Sequence, residues 1–480
     1  MKRNLVVAGL LFLLAFAVIA VSYVSISGQK DQVAIKETVL AGDPAAAEGI
    51  GLKFRVCERE TGQLLWRTDY RIGRRPQSKT VFERIRGGRY SEDLIESSAS
   101  FYGDFPMGTN NSGDTVDSEE SAAIKALIRD VASRTENGRT HSETLQMKDY
   151  FDSYPLSLQI SLLEKGSLIN VDTSQVQGFK ISVPDHSSIC VLVTKDKDGK
   201  ISNYQISPDS LLSIETKSVF TPDGCYLIPE APSYSNRHTA VVEDGSVGER
   251  PQRRLPASMR GIHLLPFKAK EKDGSKWYQV DWEKARLIYP ISSGVEVCAM
   301  KLNPDGSKLL LFTTEDGEHC VSVIDRKSMK LLQKIHLEGG RGAAYQNMEC
   351  RSSQIFVLLD NGQFYLLTQK GAQYDTELSG RMKPFPHIKD GAWLTFRSFD
   401  YDGKRLVIAA SFHIDGYLFV FDKKGLQYAG CYQNSLYHES AAEDSPYGVL
   451  FPAVFEKGSR SAANYSQMIF QPMAGLEVRL

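Results

Sequence analysis

The sequence lacks an excess of either charge. Lys and Arg together number 57, Asp and Glu number 58, and the formal net charge over 480 residues is −1. Proteins that bind nucleic acid usually carry a basic domain, so this balance predicts no nucleic-acid partner. One local basic stretch, residues 71–89, is interpreted as a solvated strand face with a loop; contact with anionic lipid or cell-wall polymers is the alternative.

Cysteine is scarce and irregularly spaced. The number is odd and no CxxC pair occurs, whereas a disulfide framework or a zinc site normally shows close, paired spacing. Most of the cysteines lie in apolar, strand-like runs, where they act as small buried hydrophobes. One disulfide stays open as an alternative, without a pair that the spacing selects. The seven are Cys57, Cys190, Cys225, Cys298, Cys320, Cys350 and Cys431.

Motifs of common enzymes and metal sites are missing. There is no P-loop, GxGxxG or GxSxG, and the nine histidines are scattered without HxxxH or HExxH spacing. Residues 196–200, DKDGK, lack the third Asp or Asn and the distant Glu of a calcium loop, so we interpret them as a hairpin turn. The sequence therefore predicts no catalytic, cofactor-binding or metal-binding residues, and no cofactor.

Charged side chains are absent between Arg3 and Lys30. Within this gap residues 5–24, LVVAGLLFLLAFAVIAVSYV, are almost wholly apolar. About 20 apolar residues suffice to cross a bilayer as a helix. The sequence thus predicts an N-terminal transmembrane anchor over residues 1–27, with the lipid bilayer as the partner of residues 5–24.

The charges that flank this run predict its orientation. Lys2 and Arg3 are expected to stay in the cytoplasm, which places the rest of a single-pass chain outside the cytoplasmic membrane. The alternative is a cleaved signal peptide, because residues 25–27, Ser-Ile-Ser, form an acceptable small-x-small site.

The remaining chain divides by composition. Residues 28–50, which end in AGDPAAAEGI, are expected to form a linker. Residues 51–480 are expected to form one extracytoplasmic domain. Within it, residues 119–131, EESAAIKALIRDV, are the one convincing helix, inside a helical and loop insertion over about residues 103–150.

From residue 155 onwards, strand and turn patterns recur at a regular interval. One unit reads NPDG, SKLLLF, EDG and CVSVIDRKSMKLLQKI, and a later unit reads DYDG, KRLVIAAS, IDG and YLFVFDKKGLQYAG. Asp305 and Asp402 lie 97 residues apart, as do Asp325 and Asp422. With one further unit between them, the period is about 40–50 residues, and four short strands per repeat are the signature of a β-propeller.

The same pattern extends towards the N-terminus. Residues 258–291 and 183–207 read as two further units, and residues 221–224, TPDG, open a degenerate one. We therefore expect an all-β propeller of about six to seven blades. Residues 52–70 and the C-terminal stretch 447–473 each supply part of a blade, so the two chain ends are expected to pair in one composite blade that leaves no open edge.

Two segments resemble known propeller families. Residues 303–337 resemble a blade of the WD40/YVTN-like β-propeller superfamily, and this resemblance covers roughly residues 160–434 without a WD dipeptide at the blade ends. Residues 58–66, ERETGQLLW, resemble one repeat of the pyrroloquinoline-quinone-type propellers, but this motif occurs once and the adjacent cysteines of those dehydrogenases are missing. The layout of anchor, linker and propeller is similar to that of membrane-anchored proteins of Gram-positive bacteria.

These observations predict a membrane-anchored extracytoplasmic propeller that is not an enzyme and that binds a protein or a cell-envelope ligand. Two alternatives stay open: a hydrolase or lyase that uses the propeller channel, and the sensor domain of a signalling system. Four aromatic residues near blade turns are candidates for a binding face, with core packing favoured: Tyr365, Trp393, Tyr417 and Tyr432.

Overall fold

The structure is a computed structural model. It describes residues 2–29, 34–57, 63–74, 77–84, 96–103, 105, 122–164, 167–169, 171–172, 176–185, 187–236, 255–272, 275–382, 394–412, 415–434 and 477–480.

The described residues are mostly strand. The two α-helices are α1 (Lys2–Gln29) and α2 (Ala122–Ser133). The strands of the N-terminal half are β1 (Ile35–Gly42), β2 (Gly51–Cys57), β3 (Gln63–Arg71), β4 (Gln77–Arg84), β5 (Glu96–Gly103), β6 (Thr140–Gln146), β7 (Leu156–Glu164), β8 (Ser167–Ile169), β9 (Val171–Asp172), β10 (Ser188–Lys195), β11 (Ile201–Pro208), β12 (Ser210–Thr221), β13 (Gly224–Pro229) and β14 (Ser233–Asn236).

The C-terminal half continues in the same manner. Its strands are β15 (Gly261–Lys272), β16 (Ser275–Val280), β17 (Arg286–Pro290), β18 (Val295–Leu302), β19 (Lys308–Glu315), β20 (Glu318–Asp325), β21 (Leu331–Leu337), β22 (Tyr345–Arg351), β23 (Gln354–Leu359), β24 (Gln363–Lys370), β25 (Gln373–Arg381), β26 (Thr395–Tyr401), β27 (Leu406–Phe412), β28 (Asp415–Asp422), β29 (Gly425–Asn434) and β30 (Glu477–Arg479). The all-β class predicted from the sequence is confirmed.

Four of the sheets have the form of a propeller blade, with four antiparallel strands in up-and-down order. Blade 1 is β18-β19-β20-β21, blade 2 is β22-β23-β24-β25, and blade 3 is β26-β27-β28-β29 with β1 added beside β29. Blade 4 is β30-β2-β3-β4. The repeats read from the Asp-Gly turns over residues 303–434 correspond to blades 1 to 3.

Blades 2, 3 and 4 belong to one compact unit and pack face to face. Successive side chains of a strand point to opposite faces of its sheet. In β27, Leu406 and Ile408 pack against blade 2, while Val407 and Ala409 pack against blade 4, and all four side chains are fully buried. Burial on both faces explains why this strand reads as a continuous apolar run.

Blade 4 joins the two ends of the chain. β30 pairs antiparallel with β2, and Leu52 lies opposite Val478. The composite blade expected from the sequence is therefore confirmed. The two C-terminal stretches expected to build it, residues 447–455 and 467–473, lie outside the described residues.

Residues 28–50 differ from the linker that composition predicted. β1 pairs with β29 along its whole length, a short 3₁₀ helix covers Pro44–Ala47, and the side chains of Ala47 and Ile50 are buried. The sequence IKETVLAG contains β-branched residues that suit a strand. Its mixture with Ala and Gly has the low hydrophobicity of a tether, which concealed the strand.

In the part of the chain that the structure describes, no helix is long and apolar enough to cross a membrane. The transmembrane anchor expected over residues 5–24 therefore has no support from the structure and stays a prediction.

A second compact unit, within residues 95–164 and 168–336, contains blade 1, a ten-stranded sheet and the three-stranded sheet β11-β10-β6. The predicted helix is present as α2, and it buries Leu127, Ile128 and Val131 in the core that also holds Ile189 and Val191 of β10. Amphipathic spacing thus located this helix correctly.

Upstream of residue 291 the structure differs from the predicted repeat. Residues 258–291 do not form a separate four-stranded blade, because β15 pairs with β13, β16 and β17 inside the ten-stranded sheet. Residues 183–207 form the hairpin β10–β11, which pairs with β6 from the predicted insertion. β15 has twelve residues, long enough to pair with successive neighbours along its length. The described residues thus hold four blade-type sheets, and the count of six to seven is not reached among them.

Candidate functional site

The aromatic residues singled out in the sequence lie in the core. The side chains of Tyr365 and Tyr417 are 2% exposed and that of Tyr432 is 1% exposed. Trp393 lies outside the described residues. The interpretation as core packing is confirmed for the three tyrosines.

Two histidines in described positions also serve packing. His263 is buried, its Nε2 donates to the carbonyl oxygen of Met259 at 3.3 Å, and its ring lies 4.8 Å from that of Phe179. His319 is buried, lies 3.1 Å from the Thr314 hydroxyl through Nδ1, and stacks on a phenylalanine. The histidines at 186, 387, 413 and 438 lie outside the described residues.

Burial lowers the pKa of His263 from its usual 6.5, while its bond to Met259 acts in the opposite direction. Because the unfolded state then takes up a proton at a higher pH than the folded state, stability is full above pH 6.5 and is lost as the pH falls below it. We expect the free energy of unfolding of the wild type to fall between pH 7.5 and 5 more steeply than that of His263→Phe. Urea unfolding at several pH values measures this, and parallel curves for the two proteins contradict it.

The cysteine thiols are not activated. Burial raises the pKa of Cys225, Cys298 and Cys320, so these sulfurs remain protonated near neutral pH. Thiolate, not thiol, is the nucleophile and metal ligand. The six cysteines whose side chains the structure describes are unbridged.

Residues 196–200 form the hairpin turn that the sequence predicted. The Oδ1 atom of Asp196 accepts hydrogen bonds from the backbone nitrogens of Asp198 (3.0 Å) and Lys200 (2.8 Å). This carboxylate therefore holds its own turn. Among the described residues, no group of three or more His, Cys, Asp or Glu is arranged to hold a metal ion.

The polar groups that do converge lie on the first strands of blades 2, 3 and 4, which we call the first-strand seam (β22, β26 and β30). Gln346 Nε2 donates to the carbonyl oxygen of Leu394 at 2.9 Å, and Arg351 Nη1 donates to that of Phe399 at 2.7 Å. Both links join residues 48 apart, so β22 and β26 run side by side in the same direction.

β30 continues the seam on the other side of β26. The backbone nitrogen of Val478 donates to Ser398 Oγ at 3.1 Å, and that of Leu480 donates to Asp400 Oδ2 at 2.9 Å. Both links join residues 80 apart. Three parallel strands from three blades are thus held in fixed register by side-chain hydrogen bonds.

The seam carries charge of both signs on partly exposed side chains. Arg351 Nε forms an ion pair with Glu349 Oε1 at 2.6 Å, with side chains 38% and 27% exposed, and its guanidinium lies over the Phe399 ring. Arg397 Nε donates to Ser411 Oγ at 2.8 Å, and Arg479 on β30 is exposed. Such guanidinium groups suit bidentate contact with carboxylates.

Sequence reasoning did not single out the seam residues. The detectable signal was polar and charged residues in the strands YQNMECR and TFRSFDY, where neighbouring strands such as QIFVLL are wholly apolar. That contrast distinguishes strands with a hydrated face from strands buried on both faces. It does not show which polar strands become neighbours in space.

No protein-family model matches the chain, and no curated protein matches it. Among solved structures, a 6-phosphogluconolactonase described as putative, from Bacteroides fragilis, is 9% identical with a TM-score of 0.30, covering 80% of this chain and 95% of that chain. The β-propeller domain of Cps50 (Swd1) from Myceliophteria thermophila is 10% identical with a TM-score of 0.21, covering 61% and 86%. A chain of the mitotic checkpoint complex is 12% identical with a TM-score of 0.22, covering 35% of this chain and 45%, less than half, of its own length. Likenesses this weak carry no argument about activity.

Proposed function

We propose that the chain is a β-propeller-type binding protein rather than an enzyme, held outside the cytoplasmic membrane by its N-terminal segment, and that the first-strand seam contacts its partner. The supporting observation is the fixed register of β22, β26 and β30, which presents Glu349, Arg351, Arg397 and Arg479 on a rigid support. Rigid presentation lowers the entropy cost of binding.

A binding role also agrees with the state of the reactive groups. The described thiols with shifted pKa values are shifted towards the protonated form, and His263 and His319 are buried among aromatic rings. General acid–base or nucleophilic catalysis instead needs groups with access to a substrate.

Membrane attachment is supported by the uncharged run of residues 5–24 and by exposed apolar side chains on α1. Leu10, Phe12 and Phe16 are 61%, 75% and 66% exposed. A soluble surface rarely presents so continuous an apolar patch unless something covers it. Fractionation with salt and carbonate washes tests the attachment. Recovery of the protein in the culture medium, with a new N-terminus near residue 28, contradicts it.

The guanidinium groups of the seam indicate a partner that presents carboxylate groups, such as an acidic segment of an envelope protein. A photoreactive amino acid at Thr395, exposed on β26, is expected to crosslink one discrete partner in intact cells. The matched control carries the same group at Lys404, an exposed turn residue beyond the end of β26. Arg479→Gln is expected to lower the crosslink yield from Thr395 about fivefold or more, the range of one contact at the edge of an interface. Equal crosslinking at both positions, or no effect of Arg479→Gln, overturns the seam as the contact.

A further inference from the structure

β1 is an extra strand on a blade that is complete without it. Blades 1 and 2 have four strands, and blade 3 has four in β26–β29 before β1 is added. β1 pairs antiparallel with the outer strand β29, from Ile35 opposite Asn434 to Gly42 opposite Tyr428, with an irregularity between Val39 and Ala41. It is also the first strand after α1.

β1 contributes little to the core. All eight of its side chains are half-buried or exposed, whereas those of residues 406–411 in β27 are all buried. Its attachment rests on main-chain hydrogen bonds at a sheet edge. Segments with few buried apolar contacts open at lower free energy than the core strands beside them.

One side-chain contact secures this edge. The Tyr428 hydroxyl donates to Glu37 Oε1 at 2.7 Å. It lies 2.8 Å from the Tyr432 hydroxyl, which therefore donates to Tyr428. Burial raises the pKa of both tyrosines, and Glu37 adds to the effect, so both remain protonated donors. A bond to a carboxylate is stronger than one between neutral groups.

The other end of β1 depends on a glycine. Gly42 has φ +79°, and a Cβ there would lie 2.0 Å from the carbonyl oxygen of Gln427. β1 can approach β29 this closely only because this residue has no side chain.

We propose that β1 is a strap that releases from β29 as a unit while the blades stay folded. Ala47 and Ile50, buried in the core of blade 4, hold the chain beyond the strap in place. With β1 docked, five residues (30–34) separate α1 from the folded domain and reach at most about 18 Å, whereas release frees thirteen (30–42) and extends the limit to about 47 Å. Where α1 is membrane-bound, a clause that rests on the proposed attachment, the strap sets how far the domain stands from the membrane.

Hydrogen–deuterium exchange on the full-length chain tests release directly. Glu37→Ala is expected to speed the exchange of the β1 amides about tenfold or more, the effect of losing a charged hydrogen bond, and to leave β27 unchanged. Lys36→Ala, at the exposed neighbouring position, is the control and is expected to leave both strands unchanged. If β1 exchanges in step with β27, or if the two variants behave alike, there is no separate strap.

A pair of glycine variants separates docking from backbone strain. Gly42→Ala and Gly49→Ala both place a side chain at a φ near +80°, but at Gly49 nothing lies within 4 Å of the added Cβ. Both pay the strain, and only Gly42→Ala also collides with β29. We expect β1 exchange to accelerate more in Gly42→Ala than in Gly49→Ala, and equal acceleration contradicts the proposal.

A reversible lock completes the test. Thr38 lies directly opposite Cys431, and the Cβ separation of cross-strand neighbours is close to that of a disulfide. In Thr38→Cys, with the bond verified by mass spectrometry, oxidation is expected to slow β1 exchange to the level of β27, and reduction to restore the wild-type rate. Equal exchange in the oxidised and reduced forms overturns release of the strap. None of these readouts depends on the membrane or on a partner.

Discussion

Val478→Asp is expected to lower the free energy of unfolding by about 3–5 kcal/mol, the cost of an unpaired charge in a core. Val478 is 1% exposed and packs with Leu52 and Tyr70 in the core shared by blades 3 and 4. It also lies in the short strand that joins the C-terminal segment to β2. The variant therefore damages packing and the closure of the composite blade together.

The matched control is Val39→Asp, the same change at a valine that is 46% exposed on β1, and its expected cost is about 0.5 kcal/mol. Chemical denaturation followed by circular dichroism measures both. If Val478→Asp costs no more than Val39→Asp, β30 does not complete the core of blade 4.

Period and turn chemistry were sufficient to predict the blades of residues 295–434. Each of these blades repeats a turn, an apolar strand, a second turn and another strand, and burial on both faces makes the inner strands continuously apolar. The pattern misled upstream, where the Lys-Asp-Gly at 272–274 marks a hairpin extension of β15 rather than a blade turn. A local turn motif specifies a hairpin, but it does not specify which sheet the hairpin joins.

The seam could not be predicted because its contacts join residues 48 and 80 apart. Spacing shows that β22 and β26 occupy equivalent places in successive repeats. It does not show that the guanidinium of Arg351 reaches the carbonyl oxygen of Phe399. β1 was missed for a related reason: an edge strand with no buried side chain leaves a weak hydrophobic pattern, so composition read as a tether.

Phe356→Ala is expected to cost about 3–5 kcal/mol of folding free energy, because it deletes a fully buried ring. The Phe356 ring of blade 2 lies 5.1 Å from the rings of both Phe396 and Phe399 in blade 3. Removing it leaves a cavity between two sheets that share one core. Leu331→Ala, at a leucine 47% exposed on β21, is the control and is expected to cost about 0.5 kcal/mol.

A double-mutant cycle locates this effect between the blades. Phe356→Ala, Phe399→Ala and the double variant are expected to give a coupling energy of about 0.5–1.5 kcal/mol, the range for an aromatic pair. Because Phe399 also lies beneath the Arg351 guanidinium and accepts its hydrogen bond, the same stack supports the seam from below. Phe356→Ala should therefore also weaken crosslinking from Thr395, although Phe356 is fully buried. A coupling energy of zero would show that blades 2 and 3 are not packed through this stack, and the seam would lose its rigid support.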